Sequence, residues 1–105
     1  MRVVIMRPGQ PPEVDSISDG LSGLQNVVGG WIEQAGMLSL STKRQVVLYC
    51  NEEGKLRGLE PNFTRRDGEV IVGPVVAVRL DEHGNEIAMT LEEAADVSKQ
   101  LAELR

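Results

Sequence analysis

Apolar residues recur along the chain in two periods, and the changes of period mark its elements. Leu21, Leu24, Val27 or Val28, Trp31 and Ile32 fall at helical spacing. The stretch from Leu21 to Glu33 therefore predicts an amphipathic helix whose apolar face organises the rest of the chain. Trp31, the only tryptophan, lies on that face and is expected to anchor the core. Replacing it with Ala should then cost about 3–5 kcal/mol, the usual range for a buried large aromatic. Ser18 or Asp19 is placed to cap the helix start. Gly29-Gly30 leaves two readings of the helix end. The helix stops there with one glycine left-handed, or it continues and the glycines let another segment approach closely. The break is preferred, with Trp31-Ile32-Glu33 leaving as a strand or irregular exit that still drops Trp31 into the core.

The remaining runs read as strands. Arg2 to Arg7 holds the unbroken apolar run Val3-Val4-Ile5-Met6, as in a strand buried on both faces and central in a sheet. Pro8-Gly9 ends it, and Glu13 to Ile17 alternates and pairs back on it. Met37 to Leu40 is weakly strand-like, whereas Gln45 to Cys50 (QVVLYC) is rich in β-branched and aromatic residues. Asn51 to Lys55 reads as a turn and Gly58 to Gly68 as a loop. Glu69 to Val72 and Val75 to Asp81 are strands parted by Gly73-Pro74, and Glu82-His83-Gly84-Asn85 turns into a strand from Glu86 to Met89. Thr90-Leu91-Glu92-Glu93 is a capping box opening a helix that runs to about Leu104. This order predicts an α+β fold: a mostly antiparallel sheet of four to six strands with two helices packed against it.

Length and composition narrow the class. The 105 residues fit a single α+β domain over 1–105, able to bury a modest core without metals or disulfides. Aromatics are 3% of the chain, so that core is mainly aliphatic. Cys50 is the only cysteine and has no internal partner, which suits a reducing cytoplasm. No apolar run approaches a membrane span, and the N-terminal apolar run is too brief for a signal peptide. From Asp81 onward, seven acidic residues oppose Lys99 and Arg105, which accounts for the whole net charge of −5. An acidic end repels phosphates, so duplex nucleic acid is a disfavoured partner. The plainer reading of that end is a solvated helix face.

Catalytic chemistry finds little to stand on. His83, the single histidine, sits in a turn without partners at zinc-ligand spacing. Gly20-x-x-Gly23 and Gly29-Gly30 lack the strand–turn–helix context and the Lys-Ser/Thr of a phosphate loop. No nucleophile motif frames Ser39, Ser41 or Thr42. The expectation is a non-enzyme with no metal and no cofactor. The informative polar stretch is Asn51 to Arg66, NEEGKLRGLEPNFTRR. It places Lys55, Arg57, Arg65 and Arg66 within a dozen residues, with Phe63 beside the last pair. Cations around an aromatic can hold a phosphate or carboxylate in one pocket. The same residues also read as ordinary surface charges pairing with Glu52, Glu53, Glu60 and Asp67.

LQNVVGGWIE at Leu24 to Glu33, NEEGKLRGLEPN at Asn51 to Asn62 and IVGPVVAV at Ile71 to Val78 occur in that order after a short strand ending Pro8-Gly9. Together they resemble the domain-of-unknown-function family numbered 3846, over nearly the whole chain. The family consists of small proteins of phages, plasmids, integrative elements and the bacteria that carry them. The resemblance brings no activity, cofactor or catalytic residue. It implies a cytoplasmic accessory protein of a mobile element or its host. Small size, the acidic end and the absence of a catalytic set favour another protein as its partner, with a homo-oligomer left open. Asn51, Glu52, Lys55 and Asn62 match the family pattern and head the candidate binding residues, joined by Arg57, Phe63, Arg65 and Arg66. Trp31, Gly29 and Gly30 are expected to be structural. The alternative expectation is a small-ligand or nucleotide sensor with an anion site from Lys55 to Arg66.

Overall fold

The computed structural model describes residues 1–105. Its first strand, β1 (Arg2–Met6), carries the unbroken apolar run Val3 to Met6 because it lies inside the sheet, with those four residues at most 1% exposed. β2 (Glu13–Ser16) folds back on β1, and α1 (Leu21–Val28) follows. Then come β3 (Ile32–Ser39), β4 (Gln45–Asn51), β5 (Pro61–Thr64), β6 (Val70–Val72), β7 (Val75–Leu80), β8 (Glu86–Ile87) and α2 (Leu91–Glu103). The main sheet has six strands in the order β2-β1-β7-β4-β3, with β8 also paired to β7, and β5 and β6 form a separate ribbon. Every pairing is antiparallel. The chain is thus α+β, with a mostly antiparallel sheet and two helices.

Alternation along the strands divides the core in two. Leu24 and Val28 of α1 pack with Val3, Ile5, Val47, Val76 and Val78 on one face. Ala94, Val97 and Leu101 of α2, with Phe63 and Ile71 of the small ribbon, pack with Val4, Met6, Leu48 and Ala77 on the other. The capping box opens α2 as expected: Thr90 Oγ1 accepts from the Glu93 amide, and the Glu93 carboxylate accepts from the Thr90 amide. No helix is long and apolar enough to cross a membrane.

The first helix stops at Gly29, the preferred reading of its end: the φ of 81° is left-handed, and the N–H returns to the Gln25 carbonyl at 2.8 Å. Three expectations are corrected. Trp31 therefore lies beyond the helix, where the 3.6-residue period no longer applies, and it is 61% exposed instead of buried. The core is anchored by aliphatic and Met side chains such as Ile5, Met6, Leu24, Leu48, Met89 and Leu101. Neither Ser18 nor Asp19 caps α1. Gly20 occupies that position without a side-chain bond, and Asp19 instead pairs with the Met1 ammonium at 3.2 Å. Finally, Pro61 to Thr64, expected in a loop, is strand β5, which buries Asn62 and Phe63.

Candidate functional site

Two of the three segments that carry the resemblance dock on each other. The end of a helix leaves carbonyls without intrahelical partners. Here Asn51, at the end of β4, donates its Nδ2 to the Val28 carbonyl at 3.0 Å. From the following turn, Arg57 donates Nη1 to the Gly29 carbonyl at 2.7 Å, setting a cation against the negative end of α1. Asn51 Oδ1 accepts from the Glu53 amide at 2.8 Å and so holds that turn as well. Gly30 passes beneath both side chains. A Cβ there would stand 3.1 Å from Asn51 Nδ2 and 3.3 Å from Arg57 Nη1, so glycine suits the approach. Next in the chain, the Trp31 carbonyl accepts from the Glu52 amide at 2.8 Å.

The outcome is a rigid mount for an exposed indole. Trp31 borders a shallow hollow of about 480 Å³ whose other walls are Gln25, Asn26, Gly29 and Gly30, with no charged group among them. Leu56, 87% exposed, stands in the neighbouring turn. The sequence reading placed Trp31 inside and passed over Leu56. The available signals were the paired glycines that end α1 and a leucine in a polar turn with no apolar periodicity around it.

The expected four-cation pocket does not form. Lys55, in the turn after β4, pairs with Glu69 just before β6. Arg65 pairs with Asp67 at 2.6 Å and donates to the Ala35 carbonyl at 3.3 Å. That guanidinium, followed by the Glu69 amide, pulls the Asp67 carboxyl down to about 2. Lys55 and Arg65 border one small cavity of about 200 Å³. Arg65 and Arg66 instead line a larger groove of about 760 Å³ with Leu38, Leu48, Phe63 and Leu104. Arg57 stays at the end of α1.

Three other candidates are held within the fold. Phe63 is 6% exposed and belongs to the α2-side core. Asn62 donates to the Met6 and Gly73 carbonyls, each at 2.8 Å, and accepts from Arg105 at 2.9 Å. Asn51 is likewise buried. Glu52 is exposed, and its contribution to the mount is its backbone amide. Cys50 is buried, and burial with the nearby Glu33 charge raises its thiol to about 11, so it is a weak nucleophile at neutral pH. His83 is exposed in the β7–β8 turn beside Glu82.

A family model described as Domain of unknown function (DUF3846) matches residues 1–102. The chain belongs to the DUF3846 family. No curated protein and no solved structure matches it. The match spans both docking segments, so the α1 end, the Trp31 mount and the turn after β4 all lie within the DUF3846 domain.

Proposed function

We propose that this DUF3846 chain is a non-enzymatic accessory factor that binds another protein, with Trp31 as its anchor. In this reading it works in the cytoplasm for a phage, plasmid or other mobile element or its host. The observation that carries the proposal is the exposed Trp31 ring on a backbone fixed by Asn51, Glu52 and Arg57. Tryptophan dominates the energetics of many protein interfaces, because it buries a large rigid area at small entropic cost. A ring whose backbone is already ordered loses less freedom on binding.

The test compares tagged wild-type protein with Trp31→Ala. Wild type should recover one protein in near-equal amount, and the variant should lose it while keeping its unfolding midpoint. Equal recovery by both would refute the Trp31 anchor. Thermal-shift measurements against inorganic phosphate and nucleotides address the sensor reading. A ligand at one hundred times its Kd adds about 2.7 kcal/mol of stability, which that assay resolves.

A further inference from the structure

The uncharged hollow at Trp31 has a charged neighbour where β3 and β4 meet. Ile32 pairs with Asn51 and Glu33 with Cys50, so Trp31 and Glu52 are the next two residues in register. The bond from the Glu52 N–H to the Trp31 carbonyl, at 2.8 Å, belongs to that pair. Opposite residues of an antiparallel pair stand side by side on one face, and residues two apart on a strand share it. The ladder therefore gathers Trp31, Glu33 and Glu52 on one face.

Glu33 and Glu52 line the small cavity of about 200 Å³, and Leu56, 87% exposed, stands on its rim. Neither carboxylate has an ion pair within the chain. The cations nearby are engaged elsewhere. Lys55 holds Glu69, Arg65 holds Asp67, and Arg57 holds the Gly29 carbonyl. Three carboxylates (Glu33, Glu52 and Glu69) border the cavity against two cations (Lys55 and Arg65), and Asp67 offsets one of those. The place is net negative in a chain of net charge −5, so it draws cations and turns anions away.

Its size and its walls narrow the choice of cation. Sites for drug-sized ligands run from about 300 Å³ upward, so this one suits a single side chain. No three ligating side chains converge there to hold a metal ion. Two exposed apolar side chains, Trp31 and Leu56, flank the carboxylates. An arginine fits both kinds of surface. Its stem covers apolar side chains, its planar cation stacks on an indole, and its fork serves carboxylates.

Building on the protein-binding reading, we propose that the partner of the Trp31 surface is a basic protein segment. It sets an arginine between Glu33 and Glu52, against Trp31 and Leu56. Contacts of this kind weaken as salt rises.

The probe is the amidated peptide acetyl-Gly-Arg-Gly-Arg-Gly, titrated into the isotope-labelled full chain and followed by NMR. The single indole N–H and the amides of Glu33 and Glu52 should shift, and those of α2 should not. Glu33→Gln with Glu52→Gln should raise the peptide's Kd about tenfold, through the loss of two exposed charge contacts. Glu92→Gln with Glu103→Gln removes the same charge from α2 and should leave the Kd unchanged. All four positions are exposed, and unfolding midpoints confirm that both variants fold. No binding at millimolar peptide overturns the proposal. So does an equal loss in the two double variants, or an equal response to spermidine, a cation without a guanidinium. If Trp31→Ala loses the recovered protein while Glu33→Gln with Glu52→Gln keeps it, the Trp31 anchor stands and the arginine does not.

Discussion

The Glu93 carboxylate faces two ways: its Oε2 lies 3.1 Å from Arg79 Nε, and its Oε1 accepts from the Thr90 amide at 2.9 Å. One side chain therefore closes the capping box of α2 and balances the cation of β7. Both side chains are nearly buried, at 11% and 12% exposure. Arg79 Nη1 donates to Oε1 at 3.3 Å, while Nε sits close to Oε2 but off the line of a directed hydrogen bond. The pair is held by charge more than by bond geometry.

Arg79→Ala is accordingly expected to cost about 3–5 kcal/mol, because it strands a buried carboxylate. Replacing both partners, Arg79→Met with Glu93→Gln, should recover much of that loss, since no unpaired charge remains. Urea unfolding of the singles and the double gives the coupling directly. Additive losses would show that the two residues act independently.

Trp31→Ala should change stability by less than about 0.5 kcal/mol, as surface substitutions do. A buried large aromatic would instead lose about 3–5 kcal/mol. The single tryptophan also reports its own environment. Its emission in the native protein should resemble that of the unfolded chain, and it should shift to the blue when a partner covers the ring. A blue-shifted native spectrum would place the indole inside.

The element order was legible because it rests on local signals. The apolar run of β1, the QVVLYC strand and the Thr90–Glu93 box each sit within a few neighbouring residues. The stop at Gly29-Gly30 was legible, but Trp31 beyond it was still expected to drop into the core; its neighbour Ile32 takes the place against the α1-side core, and Trp31 stays 61% exposed. Phe63 and Asn62 were misread for a different reason. Pro61 and Asn62 carry turn chemistry, but Asn62 is satisfied by carbonyls of Met6 and Gly73, 56 and 11 residues away. The candidate site shared that difficulty. The docking of Asn51 on Val28 and of Arg57 on Gly29 joins segments 23 and 28 residues apart. Their residue types gave no sign of meeting.

That docking has measurable strength. Asn51→Ala leaves the Val28 carbonyl and the Glu53 amide without their partner in a buried place, at a cost of about 1–3 kcal/mol. Gly29→Ala forces a Cβ into a left-handed backbone and should cost about 1 kcal/mol. Amide exchange should speed up at the end of α1 in both variants and stay unchanged in α2. Unaltered protection at the end of α1 would mean that the turn after β4 does not hold the helix.

Tyr49 supplies a pH dependence with one source. Its hydroxyl donates to Glu86 Oε2 at 2.7 Å. Burial first, then that bond and the carboxylate charge, raise the phenol from its ordinary 10 to about 12. The neutral phenol is the form the fold favours. Its contribution to stability is fully present below pH 10 and is lost as the pH rises towards 12, because the unfolded chain gives up this proton first. Tyr49 is the only tyrosine, so the phenolate absorbance of the whole protein reports it alone. The native titration should lie well above that of the unfolded chain. The stability profile of Tyr49→Phe serves as the reference, and wild type should fall away from it above pH 10. A native phenolate forming near pH 10, or superimposable profiles for the two proteins, would show that the Glu86 contact does not hold the phenol.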